Sequence, residues 1–371
     1  MFNLSFLVVD CSKRAKLERR RQKLQGNQRR KASFARRNRR AKVFVRTQPS
    51  NHTRFGECHL KIVFWGVRGS IPAPLTKEQI QAKIIAAVMR IQSRDIINSD
   101  ARQKFLSTLP GYIFGTTGSN TPCIQLVAKD GNHIIFDAGT GLRVMAKKAV
   151  PPEDRHYSIL FSHMHWDHIQ GFPFFDPLFN PKTKIDIYSP FPDFEKNFKN
   201  QMKAPFFPVD FEAVKDRVKF ITIQPGKEFN IGNVKFNCCK MSHPGDSYAY
   251  SAVEDGKKFV YATDVELYLN SSNYENEVKS VFGDADIAIL DSQYTMKEAI
   301  DKIQWGHSPF SYAVDFAAQM GISKIFLFHH EPEHDDKKLD SILQAARWYA
   351  KFIVQTAVKV NLAIEGSEIE L

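Results

Sequence analysis

The chain has 371 residues, 43% hydrophobic and 12% aromatic, enough apolar material for one large packed domain or two ordinary ones. Its five cysteines (Cys11, Cys58, Cys123, Cys238, Cys239) are odd in number and lack Cys-x-x-Cys spacing, which argues against a disulfide framework or a thiolate zinc knuckle. The net charge of +12 sits at one end: residues 1–50 hold 16 Lys and Arg against Asp10 and Glu18, while the remainder, with 36 basic and 38 acidic residues, is nearly neutral.

From the N-terminus, MFNLSFLVVD places its basic neighbours after the short apolar stretch, the reverse of a signal peptide. No apolar run reaches the ~18 residues of a membrane-spanning helix, so the expected protein is soluble and cytoplasmic. Residues 11–50 are rich in Arg, Gln and Asn and nearly devoid of large apolar side chains. Such a stretch buries too little surface to offset its ordering entropy, so residues 1–56 are expected to form a basic, disordered arm. The arm is either a solvated tail or a phosphate-neutralising contact to nucleic acid or an anionic membrane, through residues 11–50.

Residues 57–371 are expected to form one domain. HLKIVFWGV, PCIQLVAKDG, NHIIFDAG, HYSILFSH, KIDIYSP, VKFITIQPG, NVKFNCCKMSH, KKFVYATD, ADIAILDS and SKIFLFHH read as strands. Adjacent Cys238 and Cys239 would then point to opposite faces of one strand. Helical patterns fall at 76–107, 275–282, 309–320 and 336–354, and KEQIQAKIIAAVMRIQ spaces its apolar residues by three and four. The 76–107 stretch reads as a helical insertion, either a lid or a dimer contact. Strands interrupted by helices predict packed sheets covered by helices.

Residues with metal-binding chemistry follow the apolar runs. His163 comes after HYSILFS, His243 after KFNCCKMS, Asp264 after KFVYAT, Asp291 after ADIAIL and His329 after KIFLF. A rigid strand that delivers one side chain at its end is how a sheet protein builds a site from distant sequence. SHMHWDHIQG packs His163, His165, Asp167 and His168 into six positions. Imidazole and carboxylate suit Zn²⁺, Mn²⁺ or Fe²⁺, and alternate positions can aim His163 and His165 at one ion and Asp167 and His168 at a second.

This His-x-His-x-Asp-His segment resembles the signature of the metallo-β-lactamase superfamily, and the resemblance runs from about residue 60 to the C-terminus. It implies an αββα sandwich, two packed mixed β-sheets with helices on the outer faces, holding two divalent ions, zinc in the first instance. It also implies that His163, His165 and His243 bind the first metal, that Asp167, His168 and His329 bind the second, and that Asp264 bridges them. Asp137, in IIFDAGTGLR, resembles the aspartate that orients ligands. His330 beside His329 is an alternative last ligand.

WGHSPFSYAVDFAAQMGISKIFLFHH resembles the closing region of the transfer-RNA-maturing nuclease branch. Ser308 followed by Pro309 reads as an N-cap and N1 pair. His307 is then expected to protonate a leaving group or stabilise phosphoryl oxygens. FWGVRGSIPAP, TTGSNTPCIQL, IIFDAGTGLR and SHMHWDHIQGFPFF resemble bacterial cyclic-nucleotide-phosphodiesterase-like proteins. ILDSQYT stands where the nucleases carry His-Glu-Ala-Thr, so Asp291 is the residue left to orient His307, and no nuclease-like exosite arm is evident. Asp167, His307 and Asp291 are therefore expected to serve catalysis on a small phosphodiester such as a cyclic nucleotide. The alternatives are RNA processing, thioester or lactone hydrolysis on the same metals, or nucleic-acid binding through the arm, and the resemblance leaves a homodimer open. Arg68 and Asn120 either touch substrate or set turns. GFPFFDPLF forms either a pocket wall or core, and His334, Asp335 and Asp336 read as the start of the last helix.

Overall fold

Successive side chains along a strand point to opposite faces, and in the central strands both faces are buried. The computed structural model describes residues 60–267 and 276–371; the calls on the basic arm lie outside the described residues. The chain begins with β1 (Lys61–Gly66), then three helices: α1 (Lys77–Val88), α2 (Ser99–Thr108) and α3 (Gly111–Phe114). β2 (Cys123–Val127), β3 (His133–Phe136), α4 (Gly141–Lys148), β4 (His156–Leu160) and α5 (Trp166–Ile169) follow. Next come β5 (Lys184–Ser189), α6 (Phe194–Lys199), β6 (Val218–Thr222), β7 (Phe229–Ile231), β8 (Val234–Met241), β9 (Ser247–Glu254) and β10 (Lys257–Ala262). The last elements are α7 (Asn276–Phe282), β11 (Ile287–Asp291), α8 (Met296–Ile300), α9 (Phe310–Gln319), β12 (Lys324–Phe328), α10 (Asp336–Tyr349), β13 (Lys359–Leu362) and β14 (Glu368–Glu370).

The strands form two mixed seven-stranded sheets, ordered β14-β1-β2-β3-β4-β5-β6 and β13-β12-β11-β10-β9-β8-β7. β3 to β6 run parallel in the first, and β10 to β13 run parallel in the second. Phe136, Leu160, Phe236, Tyr250, Phe259, Tyr261, Phe326 and Phe328 pack between the sheets. The opposite face of the first sheet, with Ile135 and Ile159, packs on Leu142, Phe172 and Phe198. The opposite face of the second, with Val260, Leu290 and Leu327, packs on Phe282, Phe316 and Leu339 from helices. This is the expected αββα layering. Cys238 faces the inter-sheet core and Cys239 the helical side, and both are buried.

Two local departures from the sequence reading have physical causes. The 76–107 helical stretch divides into two helices: Thr76 caps α1 in a capping box, the chain turns through Ser93–Asp95, and Asn98 caps α2 by accepting from Ala101 N–H. Neither α1 nor α2 has a buried residue, so its apolar spacing does not mark a core face. Ser308 is not an N-cap. α9 begins at Phe310 after Pro309, and the Ser308 hydroxyl instead donates to Val265 O (2.6 Å) and accepts from Leu267 N–H (2.8 Å). Ser308 thus ties the residues after β10 to the turn that carries His307.

Candidate metal centre

The site grows from strand ends. β3 and β4 run in register to Phe136 and Leu160, and Asp137 and His163 come just beyond. In the other sheet, β10, β11 and β12 end in register near Ala262, Leu290 and Phe328, which brings Asp264, Asp291 and His329 to the same edge. His243 follows β8, and α5 presents Asp167 and His168.

Three of these residues, Asp137 (φ 59°), Asp264 (φ 53°) and His329 (φ 61°), adopt left-handed backbone conformations. Such conformations are uncommon outside glycine and concentrate where surrounding structure imposes them, often at functional sites. Gly69 lets its loop approach closely, since a Cβ there would lie 2.5 Å from His329 Nδ1. The next residue, Ser70, donates its N–H to Asp167 Oδ2 at 2.8 Å.

Two groups of donor atoms converge. In the first, His163, His165, His243 and Asp264 place one ligand atom each within 4.8 Å of the others. His243 Nε2 lies 3.1 Å from His165 Nδ1, and Asp264 Oδ1 lies 3.6 Å from His163 Nε2 and 3.9 Å from His243 Nε2. In the second, His168 Nε2 and His329 Nε2 each lie 3.2 Å from both Asp167 Oδ2 and Asp264 Oδ2. Donors sharing one ion at bond lengths of ~2.0–2.2 Å sit roughly 3–3.5 Å from one another, so the second group is already spaced as one coordination shell and the first is slightly wider. Asp264 contributes one carboxylate oxygen to each.

His168 Nε2 points into the second group, 3.2 Å from the Asp167 and Asp264 carboxylates, and the buried His163 Nε2 points into the first with no hydrogen-bond partner among the described residues. Leaving a buried polar atom in that state costs ~1–3 kcal/mol, which a cation would relieve. The donor set therefore fits divalent metal.

The opposite ring nitrogens are held. Asp137 Oδ2 accepts from His168 Nδ1 (2.7 Å), from the Tyr261 hydroxyl (2.7 Å) and from the Ser162 hydroxyl (2.7 Å). His243 Nδ1 donates to Gly306 O (2.9 Å), and His329 Nδ1 donates to Gln293 Oε1 (3.1 Å). Gln293 is in turn fixed by donating to Glu331 Oε2 (2.8 Å). Such partners fix the tautomer that turns Nε2 towards the ion. Tyr261, Gly306 and Gln293 went unnoticed in the sequence; Gln293, two residues past Asp291 at a strand end, carried the only positional hint.

Burial would raise Asp264, yet His329, His168 and His163 hold it well below the usual carboxylate range. Burial likewise works against ionised Asp167, and His168 and His329 overcome it. Burial, then His168, push His163 well below the ordinary imidazole value, towards the neutral form that binds metal. On His168 burial is outweighed by Asp264, Asp167 and Asp137, which raise it well above that value. A proton there occupies the charge position a cation would take.

His307 sits at the rim, stacked on His329 with ring centroids 4.8 Å apart and 5.4 Å from His243. Its Nδ1 donates to Asp291 Oδ2 at 2.8 Å. Burial alone would lower its pKa, but Asp291 lifts it to about 9. Asp291 is itself locked by the N–H groups of Asp264 and Ser308.

His330 faces away, with Nε2 bonded to Ala363 O at 2.9 Å, whereas His329 Nε2 faces the donors. Arg68 is buried and donates to the carbonyls of Gly118, Glu331 and His334, so it holds loops and not substrate. The Asn120 side chain donates to Glu365 Oε2. Phe172, Phe175 and Leu178 are core residues. Asp335 caps α10 by accepting from Lys338 N–H, and His334 bonds Glu298 at 3.0 Å.

A sequence model described as the beta-lactamase superfamily domain matches residues 132–330, more than half the chain and the span holding every donor named above. A search of curated proteins found no match. Among solved structures, yeast PDE1 in its unliganded form aligns with TM-score 0.58 at 13% identity, covering 85% of this chain and 100% of that one. The metallo-beta-lactamase fold protein YhfI from Bacillus subtilis aligns with TM-score 0.55 at 18% identity, over 85% of this chain and 100% of its own. The short form of human tRNase Z aligns with TM-score 0.52 at 15% identity, over 84% and 98%.

Proposed function

Because this chain belongs to the beta-lactamase superfamily, we propose that it is a dinuclear-metal hydrolase that cleaves a small phosphodiester, such as a cyclic nucleotide. His163, His165, His243 and Asp264 would hold one divalent ion, and Asp167, His168, His329 and Asp264 the other, with zinc the first candidate by donor chemistry. The bound ions supply Lewis acidity towards a phosphoryl oxygen and towards water.

The remaining steps belong to side chains. Hydrolysis exchanges one P–O ester bond for a bond to water's oxygen. The departing ester oxygen needs a proton, and His307 stands beside both donor groups to give it through Nε2, since Nδ1 is committed to Asp291. The proton lost by water returns to His307 through solvent. Asp291 is a positioning residue that fixes the His307 tautomer, itself held by two backbone N–H groups. Ser70 N–H steadies Asp167, and Asp137 steadies His168.

The observation that carries this reading is the His307–Asp291 pair at the edge of the donor cluster, where a proton donor suits an alkoxide leaving group. The likeness in fold to proteins named PDE1 and tRNase Z supports a phosphodiester over a carboxyl ester. The test is hydrolysis of bis(p-nitrophenyl) phosphate and of an acyl thioester by zinc- or manganese-loaded protein. Phosphodiester turnover with little thioester cleavage is the expected outcome; the reverse preference would assign the site to acyl chemistry.

A further inference from the structure

A cavity of about 200 Å³ adjoins His307, walled by Leu267, Met296, Ala299, Ile300, Ile303 and Pro309. It is therefore next to the site of proton donation, because the same imidazole borders the cavity and stacks on His329. Three polar residues of its wall are engaged. Glu266 accepts from Gly306 N–H, the Ser308 hydroxyl bridges Val265 O and Leu267 N–H, and Lys302 pairs with Glu331 at 3.5 Å.

The α8 wall contributes no residue to the core. It is pinned by polar contacts, a Thr295–Glu298 capping box and the Glu298–His334 bond. Its apolar side chains and those just after it stay open: Ile300 is 64% and Ile303 68% exposed. Apolar side chains left that open beside a reaction centre gain by covering with an apolar ligand group.

We infer that this cavity is the subsite for the group carried on the departing ester oxygen, and that this group bears a flat aromatic ring, either a nucleobase held through its sugar or an aryl group bonded directly to the oxygen. The inference rests on the phosphodiesterase reading above. The walls supply mainly apolar contact, and Glu266, Ser308 and Lys302 beside them are already paired, which leaves little to specify one base. Lys302 also borders the cavity and lies 4.3 Å from the Tyr294 ring centroid while paired with Glu331, so a cation already rests against an aromatic face at the cavity's edge.

The test is calorimetric binding of 1-naphthyl phosphate, adenosine 5′-monophosphate and methyl phosphate to the zinc-loaded full chain, with hydrolysis of bis(p-nitrophenyl) phosphate measured separately. The wild type should bind 1-naphthyl phosphate about tenfold more tightly than methyl phosphate, as burial of one aromatic ring predicts. Ala299→Phe, which fills the cavity, should abolish that preference, and Ile303→Asp, at an exposed position, should do the same without depending on how Phe packs. Adenosine monophosphate following the naphthyl ester identifies a nucleobase; behaviour like methyl phosphate identifies an aryl ester. A wild type that shows no aryl preference, or variants that keep it, would overturn the subsite. Absence of phosphodiester turnover in a protein that shows the binding pattern would instead overturn the reaction assigned above.

Discussion

Asp264 is the residue on which the two donor groups meet. Oδ1 faces His163 and His243, while Oδ2 faces His168 and His329 and accepts from the Thr263 hydroxyl at 2.6 Å. Its backbone N–H reaches Asp291, so the carboxylate between the groups and the residue that orients His307 are hydrogen-bonded neighbours. That link makes Asp291 a poor position for isolating proton donation, because changing it also loosens Asp264. His307 is cleaner, since it donates to Asp291 without supporting it. His307→Ala is expected to lower kcat by about 10²–10⁴, the usual contribution of a general acid, while metal content by elemental analysis stays at the wild-type level. Wild-type kcat in that variant would remove His307 from the mechanism.

Each strand that ends at the site is fixed on one side by the inter-sheet core and on the other by helices, so the position of its last side chain is a packing result. Phe136 shows the coupling. Its ring meets Phe236, Tyr250, Phe259 and Tyr261, and the next residue is Asp137. Phe136→Ala should cost about 3–5 kcal/mol in urea unfolding and weaken metal binding as Asp137 loses its place. A loss under about 1 kcal/mol would mean that this strand end is held by something other than its core ring.

Ten strands were legible because β-branched and aromatic residues dominate their runs. β9, SYAYSAVE, escaped because small residues dilute its alternation, and β7, β13 and β14 are only three or four residues long. The donors were legible through their place after strands and their tight spacing in SHMHWDH. Gln293 and Gly306 were not, because they act on histidines 36 and 63 positions away, a relation only the fold creates. Ser308 misled for the same reason: its local sequence suits an N-cap, but a long-range pair of bonds to Val265 and Leu267 won.

Across the whole molecule, every described residue belongs to one compact unit, and the first sheet with its α5 loop supplies His163, His165, Asp167 and His168. The second sheet supplies His243, Asp264 and His329, so neither donor group is complete within one sheet. Metal would therefore cross-link the sandwich, tying binding to folding as well as to catalysis. No helix among the described residues is long and apolar enough to cross a membrane. The stretch 76–107 projects Ile84, Ile85 and Val88 into solvent, each more than half exposed, and contributes nothing buried to the sandwich through α1 or α2.

Two ions are proposed to share Asp264. Elemental analysis of chelator-free protein, set beside Asp264→Ala purified in the same way, tests this most directly. Two divalent ions per chain in the wild type, falling to one or none in the variant with the far-ultraviolet spectrum retained, is the result expected. Equal metal content in both proteins, or no metal in either after incubation with Zn²⁺ or Mn²⁺, would contradict a shared dinuclear centre.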